Sequence, residues 1–370
     1  MKGDNMRKLK GNWTDIFNGF SVALDIKKMF VGFIGLFFTL VIVGIIPVMV
    51  GGYVNPDTKE IANPCLRYGG AMLAIMAGAA WKVGLFFAGL SLLLIFIWSY
   101  LGGIISRIAA VNMTKDEGLD LKKSISFANK KCISLFSPFI LSVLGFLFFL
   151  VCNLLGGLVG RIPYVGELLV ALFLPLAIIS GFIMIFIFIG FAFGHKFFIP
   201  TIAVESSDAF DAVSRSFQYL YAEPWRYIWY VLTAMVYGVI TTAFVWFFGG
   251  LMIIGSLITV RVGMGLKFAD ILSMTGLHNC VQAPASAPAT YIIAAYIIMF
   301  WLVLIIGVLL AYVVSYCFSA HTIIYLLMRK KVDDIEMTEL YEEEPAGDLN
   351  AAPEAPKTDE PASNPTPPTT

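Results

Sequence analysis

Charge is what this sequence has little of. Only 14% of its 370 residues are Asp, Glu, Lys or Arg, while 59% are hydrophobic; a soluble domain carries roughly 25% charged side chains. With 11 of the 25 acids lying beyond residue 332, the rest cannot coat a core of this composition, so most apolar surface must face lipid. A soluble globular protein is excluded, and no nucleic-acid partner is expected. Histidine is scarce too: there are three, no two on one helical face, and the five Cys include no pair at ligand spacing. A metal site has nothing to build on. There is no G-x-S-x-G, P-loop or H-E-x-x-H, so no catalytic residue and no cofactor are assigned and the chain reads as non-enzymatic.

Long apolar runs are what it has. An all-α integral membrane fold is expected, with six spans near 29–51, 83–105, 134–158, 168–194, 227–249 and 300–328, each long enough for a core of about 30 Å. The basic start, running to Lys28 with no small-x-small site near Gly51, is not expected to be a cleaved signal peptide. Lys and Arg alternate between loops: 6, 6, 3 and 3 flank one side and 3, 1 and 2 the other. Retention of basic loops then predicts both termini in the cytoplasm of a bacterial inner membrane. That orientation places only Cys65 and Cys280 outside, as a candidate disulfide or as two small unpaired residues.

Residues 1–332 form the membrane domain, with 24 bases against 14 acids. Residues 333–370 hold one Lys and 11 acids and read as a disordered Pro/Ala/Thr-rich tail, open to a protein partner.

A polar segment of helical periodicity precedes spans 1, 3 and 5. In the first, Ile16, Phe17, Phe20, Ala23 and Leu24 oppose Asp15, Asn18, Ser21, Asp25 and Lys28. In the second, Leu121, Ile125, Ala128 and Cys132 oppose Lys122, Lys123, Ser126, Asn129 and Lys130, with Thr114 and Glu117 as a capping box. In the third, Phe210, Val213, Phe217 and Leu220 oppose Asp208, Asp211, Arg215 and Gln218. Each predicts an amphipathic helix lying on the inner interface. Pro224 should stop the third and let Trp225 enter span 5. Aligning Ser124 with Ser216 also matches Asp116 with Asp208, Leu121 with Val213 and Lys123 with Arg215, which suggests three repeats of interfacial helix plus hairpin.

The run Phe198 to Trp229, FIPTIAVESSDAFDAVSRSFQYLYAEPWRYIW, and its companion Arg107 to Phe136, RIAAVNMTKDEGLDLKKSISFANKKCISLF, resemble segments of uncharacterised bacterial polytopic membrane proteins. They are also similar to the membrane domain attached to some glycerophosphodiester phosphodiesterases. The resemblance covers about 60 residues closely. It implies an architecture only, since the catalytic domain of those enzymes is absent.

Ionisable residues inside spans, which mark ion and substrate paths, are almost lacking. Glu167 and Lys82 sit at outer helix ends, His195 and Lys196 are expected to close span 4 and offset its dipole, and His321 reads as structural. Trp98, Tyr100, Trp225, Tyr227, Trp229 and Tyr230 make an interfacial belt. Lys122, Lys123, Lys130 and Lys131 form a stripe suited to anionic lipids. Residues 69–82, 250–275 and 284–299 are too apolar for open loops. Span 5 continued to Val260 would reach about 51 Å, so a break at Gly249 and Gly250 is expected, with the remainder re-entering or forming a cap. The functional expectation is a scaffold or membrane subunit of a larger assembly. The alternative is a transporter or lipid-handling protein.

Overall fold

The computed structural model describes residues 9–54, 80–115, 118–273 and 288–340. Among them every regular element is helical. A 3₁₀ turn, Trp13–Asn18, leads into α1 (Gly19–Ala23), α2 (Ile26–Val54), α3 (Ala80–Thr114), α4 (Leu121–Lys130) and α5 (Cys132–Val159). There follow α6 (Val165–Glu205), α7 (Ala209–Ala222), α8 (Pro224–Met264), α9 (Leu266–Ser273) and α10 (Ala289–Val332). Six of these, α2, α3, α5, α6, α8 and α10, are long and apolar enough to cross a membrane. Apolar residues cover all sides of them, as expected where a helix is surrounded by lipid or protein. Cys65, Cys280 and the tail from residue 341 onward lie outside the described residues.

The starts of α2, α5 and α8 and the ends of α3, α6 and α10 meet at one end of the bundle, which we term proximal. Here the core is concentrated. Residues 101–111 of α3, 197–204 of α6 and 322–329 of α10 are buried without a break. Aromatic rings fill the centre: Phe197 meets Tyr227 and Tyr325 edge-on at 5.1 and 5.9 Å. Toward the distal end burial falls away, and the most apolar windows of α6 and α8 contain no buried residue.

Several spans run further than expected. Helix α8 passes through Gly249 and Gly250 without interruption and ends only at Gly265, whose φ of +69° suits glycine. The anticipated break is thus replaced by a contact: a Cβ on Gly249 would come within 2.7 Å of Leu309. The absent side chain lets α10 approach. At about 1.5 Å per residue the 41 residues of α8 extend roughly 60 Å, twice a hydrocarbon core. Beyond the turn at Gly265, α9 folds back on α8 and α10 and buries Phe268 and Ile271. The apolar distal segment therefore forms helix and a short cap.

The three polar segments are helices packed on the proximal end, but with their faces rotated. In α7 the buried residues are Ala212, Ser216, Tyr219 and Leu220, whereas Phe210 is 75% exposed. Phe217 remains at the contact, because α6 presents Gly190 to it: a Cβ there would be 2.7 Å from the Phe217 ring. Val213 is half-buried, and Trp225 is 83% exposed. In α4 Ser124, Phe127 and Ala128 turn inward. These positions match Ser216, Tyr219 and Leu220 at a constant offset, and Ser124 and Ser216 both hydrogen-bond the carbonyl four residues earlier. In the first segment Asp15 is buried, accepting hydrogen bonds from the Lys10, Gly11 and Asn12 backbone, and Lys28 is buried as well. Phe17 and Leu24, on the apolar face of this segment, are exposed, while Ile16 and Ala23 of the same face are buried. Thr114 does not cap α4; it closes α3, and Asp120 occupies the N-cap. Glu223, out of the helical region at φ −137° and ψ 64° before Pro224, ends α7 where expected.

Candidate functional site: an ion cluster and a cavity at the proximal end

Two stripes of like composition face each other. Asp211, Arg215 and Tyr219 lie at successive i, i+4 positions on α7. Tyr325, Arg329 and Asp333 repeat that spacing in reverse order at the end of α10. Side chains four apart share a helix face, so each stripe points one way. Glu205, at the last position of α6, lies between them.

The Arg215 Nε donates to both Asp211 oxygens at 3.0 Å, and its Nη1 lies 2.8 Å from Glu205 Oε2 and 3.9 Å from Asp333 Oδ2. The Tyr325 hydroxyl donates to Glu205 Oε1 at 2.5 Å, and that of Tyr219 to Asp333 Oδ2 at 2.5 Å. Arg329, 4% exposed in its side chain, sits 3.8 Å from Glu205 Oε1. Its Nη2 also donates to the carbonyls of Glu336 and Glu339. The chain beyond α10 is thereby held on the bundle: Met337 is buried and Leu340 packs on the same core. The packed body thus extends past the expected boundary at residue 332.

Burial lowers the pKa of the Arg215 guanidinium, but Asp211 and Glu205 outweigh it and leave it above its ordinary value. Burial, then the hydrogen bond to Asp333, push the Tyr219 hydroxyl up. The arrangement is a clamp in which both guanidinium groups are engaged. The sequence reading put Asp211 and Arg215 on a solvent face and missed Glu205; the paired Tyr/Arg/Asp stripes are the signal that would have found the cluster.

Arg107 makes a second tie. It is buried, donates from Nη1 to the Ala203 carbonyl at 2.8 Å, and lies over the Phe127 ring at 4.6 Å. Ala203 is in the last turn of α6, where carbonyls lack helical partners.

Beside this framework α3, α5, α6 and α10 line an open cavity of about 380 Å³. His195, Lys196, Cys317, His321 and Ser99 line it together with apolar side chains. The imidazoles, on different helices, meet across the bundle, an arrangement that one-helix periodicity does not reveal. Moreover, α6 continues nine residues past Lys196, so neither His195 nor Lys196 closes a helix or offsets its dipole. His195 Nδ1 is 2.9 Å from the Phe191 carbonyl, and His321 Nδ1 is 2.7 Å from that of Cys317. A carbonyl only accepts, so Nδ1 carries the proton in both rings. Trp98 is part of this framework, donating to Thr39 Oγ1 at 3.1 Å and stacking on Phe318.

Lys122, Lys123 and Lys130 are exposed on α4, while Lys131 lies 4.0 Å from Asp208. Among the described residues no group of three or more His, Cys, Asp or Glu stands ready to hold a metal ion. Cys132, Cys152 and Cys317 carry free thiols. Comparison of the chain with protein-family models, curated proteins and solved structures finds no match.

Proposed function

We propose that this multi-spanning membrane protein is a non-enzymatic scaffold or membrane subunit of a larger assembly, in a bacterial inner membrane with both termini cytoplasmic. The observation that carries it is the contrast along the bundle. The proximal end is clamped by ion pairs around the buried Arg329 and by packed rings, while the apolar windows of α6 and α8 have no buried residue, leaving long helical faces for lipid or partner helices. The excess of Lys and Arg on the proximal loops supports the orientation.

The test is extraction into native-lipid nanodiscs without detergent, followed by native mass spectrometry. Particles holding a second copy or a second protein at fixed stoichiometry are expected. Single chains throughout would overturn the proposal.

A second reading, lipid handling, is favoured by the cavity. Its walls are apolar, its bases converge from two helices, and it lies where α6 passes from exposed to buried.

A further inference from the structure

We infer that the cavity between α3, α5, α6 and α10 binds a single-chain amphiphile with an anionic head, a long-chain fatty acid; the inference rests on the lipid-handling reading. Leu94 and Ile95 of α3, Phe139 of α5 and Phe318 of α10 give it apolar walls. Its charged and titratable lining holds Lys196, His195, His321 and the Cys317 thiol but no carboxylate. Among the described residues no acid pairs with Lys196. An anion entering the cavity therefore meets a cation without a competing partner, and a cation meets only repulsion.

Ser99 adds an unmatched hydroxyl to this wall, as Ser106 and Ser319 do elsewhere in the bundle. It is 1% exposed, it lines the cavity, and its Oγ has no hydrogen-bond partner. A helical serine ordinarily satisfies itself on the carbonyl four residues earlier, as Ser142 does at 2.9 Å and Ser216 at 2.6 Å. A buried hydroxyl left unmatched is unfavourable, and a carboxylate oxygen would accept its proton.

Shape sets the number of chains. Sites for small molecules run from roughly 300 to 1,000 Å³, and about 380 Å³ suits one acyl chain better than two. The order of residues sets the direction. Leu94 and Ile95 precede Ser99 on a helix running from distal to proximal, so a head at Ser99 and Lys196 leaves its chain toward the lipid-exposed part of the bundle.

The experiment uses the full chain in phosphatidylcholine nanodiscs and palmitate bearing a photoreactive diazirine near its methyl end. Saturable labelling of α3, α5 and α10 peptides is expected, displaced at least tenfold better by palmitate than by hexadecanol. Lys196→Met should weaken apparent affinity about tenfold, the worth of one charged hydrogen bond, while Lys196→Arg stays within about threefold of the parent. Lys196 is exposed, so neither change is expected to disturb folding; the competition on the parent protein does not depend on either. Equal displacement by acid and alcohol, or an unchanged Lys196→Met, overturns the inference. Displacement by phosphatidylglycerol but not by palmitate leaves lipid handling standing and removes the single-chain acid. If no lipid displaces the probe, both fall.

Discussion

Residues 168–189 and 197–204 belong to one helix and are both strongly apolar, yet in the first stretch no residue is buried and in the second all are. The same division runs through α10, which is largely exposed or half-buried before Ala311 and continuously buried from Thr322 to Arg329. Apolar composition asks only for removal from water, and lipid or protein can supply it. What distinguishes the ends is the polar residues. Arg107, Glu205, Ser315 and Arg329 all lie in or beside the proximal core and reach across to other elements, so directional bonds there fix which helices meet. The distal end has little of that specification.

The largest test of this comparison removes a carboxylate at each end of α6. Glu205→Ala should cost about 3–5 kcal/mol, because it takes a partner from Tyr325, Arg215 and the buried Arg329 and leaves charge uncompensated. Glu167→Ala, exposed in the first turn of the same helix, should change stability little. Thermal unfolding in one detergent compares the two; similar losses would mean the cluster does not organise the fold. Next in size is Phe217→Asp. Its ring packs on Gly190 and stands edge-on to Phe186 at 6.4 Å, so the change should destabilise by about 2–3 kcal/mol. Gln218→Asp, on the exposed side of α7, should be near neutral. Equal losses would show that α7 is not docked through this face.

The six spans and the three polar helices were legible because hydropathy and 3.6-residue periodicity are local properties. The facing of those helices was not. Periodicity groups Phe210 with Phe217 on one apolar face without saying which of them meets protein and which is left for lipid, and it groups Arg215 with the polar face, whereas Arg215 turns toward Glu205, Asp211 and Asp333. The lengths of α6 and α8 were underestimated for a related reason. Gly249 looked like a hinge, whereas its role is set by Leu309 on a helix 60 residues away in sequence. The cavity was invisible because its bases come from α6 and α10, whose pairing only the fold supplies.

Glycines sharpen the comparison at a smaller scale. A Cβ on Gly102 would run into the ring of Phe318, which is itself stacked on Trp98, while Gly181 has nothing within 4 Å. Gly102→Ala should therefore cost about 1–2 kcal/mol from overpacking, less the helix propensity gained. Gly181→Ala should be neutral or stabilising by up to about 1 kcal/mol. Unfolding midpoints that moved together would mean that the proximal helices are not in fixed contact.

The smallest effects belong to the proximal surface, where charge is abundant but wet. Lys131 and Asp208 approach to only 4.0 Å, with the Asp208 side chain 88% exposed, so Lys131→Gln should alter stability by less than about 0.5 kcal/mol. Lys122 and Lys123 are exposed on α4 and should act on lipid instead. A basic side chain near an anionic surface is worth about 1 kcal/mol, and the double change Lys122→Gln, Lys123→Gln should lower the phosphatidylglycerol retained in native nanodiscs without shifting the unfolding midpoint. Lipid mass spectrometry of the two proteins reads the ratio of phosphatidylglycerol to phosphatidylethanolamine directly. An unchanged ratio would assign the stripe to orientation alone, and a shifted midpoint would show that charge stabilises the proximal surface as well as its interior.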